Sequence, residues 1–160
     1  DPGEILNNLR TNIIRSLKQR GIANESRDGM DMSLISIDRH SGHLKFAGAN
    51  NPLYLLRNEK IKIIKGDKMP IGIYERMDPF KTKKVELQQN DICYIFSDGY
   101  PDQFGGRKNS KFKYKNFRVL LKESSVVSLK EQKDILEEVL DTWQGENEQV
   151  DDILVMGLKV

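Results

Sequence analysis

The sequence predicts an α+β layered domain of antiparallel sheets and flanking helices. Three observations carry that expectation. A helical apolar stripe opens the chain, five or six short strands joined mostly by hairpin turns fill its middle, and two helices followed by one strand close it. Consecutive hairpins favour antiparallel pairing, so a doubly wound parallel sheet is not expected. At 160 residues the chain makes one ordinary domain, spanning 1–160, with enough length to bury a core.

Each element has its own signal. Asp1-Pro2-Gly3-Glu4 starts a helix: Asp1 can cap, Pro2 fits the first helical position, and Glu4 stands where a capping-box partner belongs. Ile5, Leu9, Ile13 and Leu17 then recur at helical spacing, so the helix is expected over 2–20, with Gly21 as its stop. Residues 22–28 are polar and loop-like. From Met30 the period changes to two, through Met32, Leu34 and Ile37. Arg39-His40-Ser41-Gly42 turns that strand into a second over 43–49. Leu53–Leu56 and Ile61–Ile64 form a further hairpin around Arg57-Asn58-Glu59. Residues 82–87 alternate as a strand, and Ile92–Phe96 is a fully apolar run that reads as a buried strand. Residues 101–113, rich in Gly, Lys and Asn, read as a mobile surface loop. Helices follow over 114–123 and 129–143, and the apolar run 153–158 makes the last strand.

Composition excludes several classes. Hydrophobic residues at 38% beside charged residues at 31% describe a globular chain, not a disordered one. With 26 basic and 24 acidic residues the net charge is +2, so no overall field argues for nucleic acid or an anionic membrane, and no nucleic-acid partner is expected. The single cysteine, Cys93, excludes an internal disulfide and a cysteine zinc cluster, and its apolar surroundings argue against a nucleophile. A reducing, cytoplasmic setting fits. No apolar stretch approaches the ~20 residues of a membrane span, and no signal peptide is visible. Because Asp1 already opens a helix, the chain reads as a piece of a longer protein.

Two strand ends carry acids beside apolar runs: Asp98-Gly99 at the exit of 92–96, and Asp151-Asp152 at the entry of 153–158. Antiparallel neighbours would bring these ends to one edge of a sheet, and carboxylates converging there make a hard-oxygen site suited to Mg²⁺ or Mn²⁺. Gly99 lets backbone, water or substrate approach. The competing reading is a pair of solvated turns. Asp28-Gly29 is explained by turn chemistry alone. His40 and His43 flank a hairpin tip and read as solvated. Gly48-Ala49-Asn50-Asn51-Pro52 suits a tight turn near a site, which makes Asn50 and Asn51 site-proximal candidates, although their amides can equally serve local backbone groups. Neither a Gly-rich phosphate loop nor a Ser-His-Asp arrangement is present in the sequence.

Taken in order, "DGMDMSLISID", "LKFAGANNPLYLLR", "GDKMPIGI", "LQQNDICYIFSDGYPDQFGG" and "VDDILVMGL" resemble one family across essentially the whole chain. It is the SpoIIE-like (RsbU-type) bacterial serine phosphatases, a branch of the metal-dependent PP2C protein phosphatases. The resemblance implies two packed antiparallel sheets flanked by helices, with a two-metal centre of Mn²⁺ or Mg²⁺. It implies hydrolysis of phosphoserine or phosphothreonine by a metal-activated water. On its motifs Asp98 and Asp151 are metal ligands, and Asp152 takes the neighbouring position. Residues 100–113 correspond to a variable segment beside the site.

One departure qualifies this. The family's remaining metal-binding acids belong to a Gly-Asp strand and an Asp-x-x-Gly-His-Gly-like turn ahead of the first helix, and nothing in residues 1–27 matches either. The chain is therefore expected to be N-terminally incomplete, to hold metal weakly or not at all, and to be inactive by itself. Open sheet edges are expected to favour self-association. The family also implies a phosphoprotein substrate of the anti-anti-sigma-factor kind and an upstream sensor domain, through which the parent protein would be membrane-attached. The alternative is a regulatory or binding module that keeps the fold without catalysis.

Overall fold

The computed structural model describes residues 1–22, 28–38 and 40–160. Of the loop read at 22–28, residues 23–27 lie outside the described residues, as does Arg39 of the first hairpin turn. The elements run α1 (Pro2–Ser16), β1 (Met32–Asp38), β2 (His43–Ala49), β3 (Leu53–Arg57), β4 (Lys60–Ile64), β5 (Lys83–Glu86) and β6 (Ile92–Phe96). They continue with α2 (Gly99–Asp102), β7 (Phe104–Gly105), β8 (Ser110–Lys111), α3 (Tyr114–Ser124), α4 (Leu129–Gln144) and β9 (Val155–Lys159). Helices and antiparallel sheets are thus arranged in the order the sequence predicts, with additions between 99 and 111.

The chain divides into two compact units, Asp1–Leu53 with Ile63–Gln89, and Tyr54–Lys62 with Asn90–Val160. In the first, Asp1 caps α1 by accepting from the Gly3 N–H at 3.1 Å. The helix ends at Ser16, four residues before the expected end at residue 20, because Lys18 takes a left-handed conformation (φ 53°). That turn frees Gln19, which is buried, to bond backbone on both sides. Its Nε2 donates to the Asp28 carbonyl at 2.6 Å and its Oε1 accepts from the Ile73 N–H at 3.1 Å. A buried side chain that pairs both its amide donor and its acceptor with backbone outweighs one more helical turn on the surface. The sheet of this unit has the order β1-β2-β5, antiparallel throughout, with Met32 opposite Ala49 and His43 opposite Glu86. Leu6 of α1 packs with Ala47, Ala49, Met69, Ile71 and Phe80 as its core.

The second unit holds most of the sheet β4-β3-β6-β9. Asn58 and Glu59 both have positive φ (47° and 58°), the backbone of a two-residue turn whose twist matches a hairpin. β6 is central: Tyr54, Leu55 and Leu56 pair with Tyr94, Cys93 and Ile92 on one side, and Val155–Lys159 pairs with Phe96–Ile92 on the other. Alternation puts Tyr54, Leu56, Ile92, Tyr94 and Phe96 on one face, packed with Phe117, Leu121 and Leu136 of α3 and α4. At the start of β6, Asp91 is almost wholly buried and accepts from the Arg57 Nε at 2.8 Å and Nη2 at 2.6 Å, a two-pronged charged pair. α4 opens on a capping box between Ser128 and Glu131.

Two expectations are corrected here. Residues 101–113 are not an unstructured loop: α2 and the β7–β8 hairpin occupy them, and Phe112 is buried. The reason is packing on Trp143. The Trp143 carbonyl accepts from the Gly106 N–H at 2.8 Å, its ring N–H donates to the Gln103 carbonyl at 3.1 Å, and a methyl placed on Gly105 would lie 1.8 Å from the Trp143 carbonyl oxygen. Only glycine admits that approach. The last strand begins at Val155, two residues later than expected, and lies at the sheet edge, where Met156 (52%) and Leu158 (38%) are exposed.

Burial pushes the Cys93 thiol from its ordinary 9.0 up to about 11, and the Tyr94 phenol from 10.0 up to about 12. Both shifts disfavour ionisation in the folded state. Their contribution to stability is complete below pH about 9 and is lost as pH rises through the window to about 12. Thermal unfolding should therefore move to lower temperature above pH 9, and the thiol should resist iodoacetamide at neutral pH until the protein is unfolded.

Candidate functional site

The site is built where β6 ends and β9 begins, within the second unit. Phe96 opposite Val155 is the last ladder pair, and both chains then leave the sheet at the same edge. Ser97 fastens them together. Its Oγ donates to the Asp152 carbonyl at 2.7 Å and accepts from the Leu154 N–H at 2.9 Å, and its own N–H donates to the Leu154 carbonyl at 3.0 Å. Next comes Asp98, at the N-cap position of α2, and its side chain makes no capping bond to that helix. The bland account of an aspartate before a helical turn, that it caps the turn, does not describe it. Gly99 follows against the other acidic segment: a methyl there would lie 2.3 Å from the Asp152 carbonyl oxygen. The Ser-Asp-Gly sequence is therefore matched residue by residue to its neighbour. Serine links, aspartate is presented, and glycine lets the two backbones close.

Asp151 and Asp152 are both exposed. The Asp151 Oδ1 accepts from the Asp152 N–H at 2.7 Å, and the Asp151 carbonyl accepts from Gln149 Nε2 at 2.7 Å, which fixes the turn leading into β9. Asp98, Asp151 and Asp152 are thus brought to one sheet edge, as the exit-and-entry argument predicts. Behind Asp98, Tyr100 is buried and donates to the Leu136 carbonyl at 2.7 Å, so the short helix is anchored to α4. Sequence reading missed Ser97 as the fastener, although a serine directly before Asp-Gly at a strand end is a legible signal.

Oxygen donors of this kind suit Mg²⁺ or Mn²⁺. They do not gather into a full ligand set: among the described residues there is no group of three or more His, Cys, Asp or Glu side chains that could hold a metal ion. The donor chemistry fits a divalent cation, and the donor count does not complete a two-metal centre. The remaining candidates lie in the first unit. Asn50 has φ 55°, donates through Nδ2 to Asp31 Oδ1 at 2.8 Å, and its N–H reaches the Asp67 carbonyl at 2.8 Å. Asn51 accepts at its carbonyl from Ser33 Oγ at 3.3 Å. Both build the turn between β2 and β3. His40 and His43 are exposed, and the neighbouring Asp38 carboxylate is held below its ordinary value by hydrogen bonds from Ser41 and from the His40 N–H, which makes it a turn residue.

This combination of mixed helix and antiparallel sheet is the fold of PP2C phosphatase domains. The chain superimposes on the SiaA PP2C domain of Pseudomonas aeruginosa with a TM-score of 0.88 at 28% identity, covering 100% of this chain and 61% of that one. Two more distant likenesses show the same fold. The phosphatase domain of SpoIIE from Bacillus subtilis gives a TM-score of 0.57 at 15% identity, over 98% of this chain and 70% of that one. The RsbU and RsbW domains of a Mycobacterium tuberculosis protein give 0.59 at 16%, over 91% and 39%. The family model for Stage II sporulation protein E (SpoIIE) matches residues 1–160, and the chain belongs to that family. No curated protein sequence matches it. Among the described residues no helix is long and apolar enough to cross a membrane.

Proposed function

We propose that the chain contributes the Asp98 and Asp151–Asp152 edge of a metal-dependent phosphoserine/phosphothreonine phosphatase domain in a bacterial signalling protein. The observation that carries this reading is the convergence of the two acidic strand ends, fastened by Ser97 and closed by Gly99. Asp98 and Asp151 are the proposed ligands of Mg²⁺ or Mn²⁺, with Asp152 beside them. A divalent cation bound at such an edge supplies Lewis acidity, lowering the pKa of a coordinated water and offsetting charge on phosphoryl oxygens. The chain's own residues hold the carboxylates on a rigid mount. The β6–β9 ladder fixes the strand ends, Ser97 sets their separation, and Tyr100 ties the turn after Asp98 to α4. The proposed substrate is a phosphoprotein of the anti-anti-sigma-factor kind, the setting cytoplasmic, and the regulator an upstream sensor domain.

A second reading is favoured by one observation: among the described residues no three His, Cys, Asp or Glu side chains gather into a group that could hold a metal ion. On that reading the domain binds a partner and does not hydrolyse. Hydrolysis of p-nitrophenyl phosphate separates the two. The 160 residues by themselves are expected to be close to inactive with Mn²⁺, while the longer native chain, supplying further acids, hydrolyses in a Mn²⁺-dependent way. A native chain without activity at any Mn²⁺ concentration establishes the binding module. Full Mn²⁺-dependent activity of the 160 residues contradicts the shortage of ligands.

A further inference from the structure

The chain's modest net charge hides a sharp asymmetry. Between Gln103 and Lys122 fall seven of its 26 lysines and arginines and none of its 24 acids, leaving 19 basic against 24 acidic residues elsewhere, a net −5. This basic segment is the β7–β8 hairpin and α3 as far as Lys122, the residue before Glu123. Arg107 and Lys108 are exposed in the hairpin turn. Lys113 is the N-cap of α3, and Lys115, Arg118 and Lys122 follow at spacings of three and four, which puts them on one side of the helix. That side flanks the buried Phe117 and Leu121: Lys115 and Lys122 are exposed, while Arg118 is half-buried and donates to the Tyr54 hydroxyl at 3.4 Å. Lys111 is paired with Asp102 at 2.8 Å, and Lys122 lies 3.9 Å from Glu59. Arg107, Lys108, Lys113 and Lys115 make no ion pair among the described residues. Their field is directed to solvent.

The patch adjoins the acidic edge. The Tyr114 ring in the first turn of α3 lies 6.4 Å from the ring of Phe96, two residues before Asp98, and the hairpin follows directly from α2, the short helix that begins after Asp98. Apolar side chains stand among the cations: Phe104 is 37% exposed, Tyr114 36% and Val119 47%. A basic surface with apolar contacts inside it has the make-up of a protein interface whose partner is acidic. A continuous polyphosphate backbone fits less well, because it would run from the cations onto the Asp98 and Asp151–Asp152 carboxylates, whereas a folded protein presents its acids at discrete points.

We propose that the β7–β8 hairpin and the outer face of α3 form a docking surface for an acidic phosphoprotein, which presents its phosphoryl group to the neighbouring acidic edge. The phosphoryl half rests on the phosphatase reading, and the docking half does not. The test measures fluorescence anisotropy of labelled peptides against the 160-residue protein: a phosphoserine peptide flanked by glutamates, the same peptide unphosphorylated, a lysine-flanked phosphopeptide, and a single-stranded DNA oligonucleotide. Both glutamate-flanked peptides should bind at least about tenfold more tightly than the lysine-flanked one, and more tightly than the oligonucleotide. The single Lys115→Glu should weaken them measurably. The triple variant Lys108→Glu, Lys113→Glu, Lys115→Glu, at exposed positions that leave the circular dichroism spectrum unchanged, should remove about tenfold in affinity. Equal binding of acidic and basic peptides, indifference to the triple variant, or tighter binding of the oligonucleotide overturns the proposal. Acidic peptides that bind but are never hydrolysed, even by the longer chain, sustain the docking surface and defeat the phosphatase reading alone.

Discussion

Phe117→Ala is expected to cost about 3–5 kcal/mol of folding stability, a large part of the ~5–15 kcal/mol that holds a domain together. Phe117 is fully buried in an aromatic cluster, its ring 4.9 Å from Phe96 edge-on and 4.8 Å from Tyr100. The cluster continues from Tyr100 to Phe112 at 5.3 Å and from Phe112 to Trp143 at 5.4 Å, each edge-on. Removing the ring deletes its contacts and leaves a cavity that rigid neighbours on a strand and two helices cannot close. Urea unfolding should show the midpoint falling with little change in slope. Val126→Ala, at a site 85% exposed, should stay within about 0.5 kcal/mol. The effect reaches the site as well, because Phe96 and Tyr100 flank Asp98 in sequence and hold its mount.

The largest functional effect is expected at Asp98. Asp98→Asn keeps the shape of the side chain and removes the charge that a hard cation requires. In the longer chain, Mn²⁺-dependent hydrolysis of a phosphoseryl peptide should fall on the order of a hundredfold or more, since disturbance of residues that only orient metal ligands already costs 10–100-fold. Folding, followed by urea unfolding of the same variant, should change far less than activity. That combination, activity lost with stability retained, separates a ligand from a turn residue. A structural aspartate would produce the reverse.

The convergence of the acids was legible because it follows from strand direction. An acid at the exit of one strand and another at the entry of its antiparallel neighbour must share an edge, and residues 92–96 and 153–158 announce themselves by apolar content. Hairpin positions were legible for a similar reason, since they depend on local turn chemistry. The hairpin at 104–111 was not. Its Gly-Gly-Arg-Lys-Asn composition has loop character, and its order is imposed by Trp143, more than thirty residues further along the chain. The early end of α1 was hidden likewise, because the two bonds of Gln19 involve residues 9 and 54 positions further on. The exposure of Met156 and Leu158 could not be read either, as an apolar run states hydrophobicity and not what covers it. The lysines looked scattered in sequence because helical geometry is needed to gather Lys115, Arg118 and Lys122 onto one face.

The central claim is that Asp98 and Asp151–Asp152 form one cation-binding edge. Paramagnetic broadening of backbone amide signals on titrating Mn²⁺ into the 160-residue protein tests it most directly, and it registers even weak binding. Selective loss of the signals of residues 97–100 and 151–153, abolished in Asp98→Asn, is the expected result. Broadening centred on His40 and His43, or broadening around residue 151 that persists unchanged in Asp98→Asn, would contradict it.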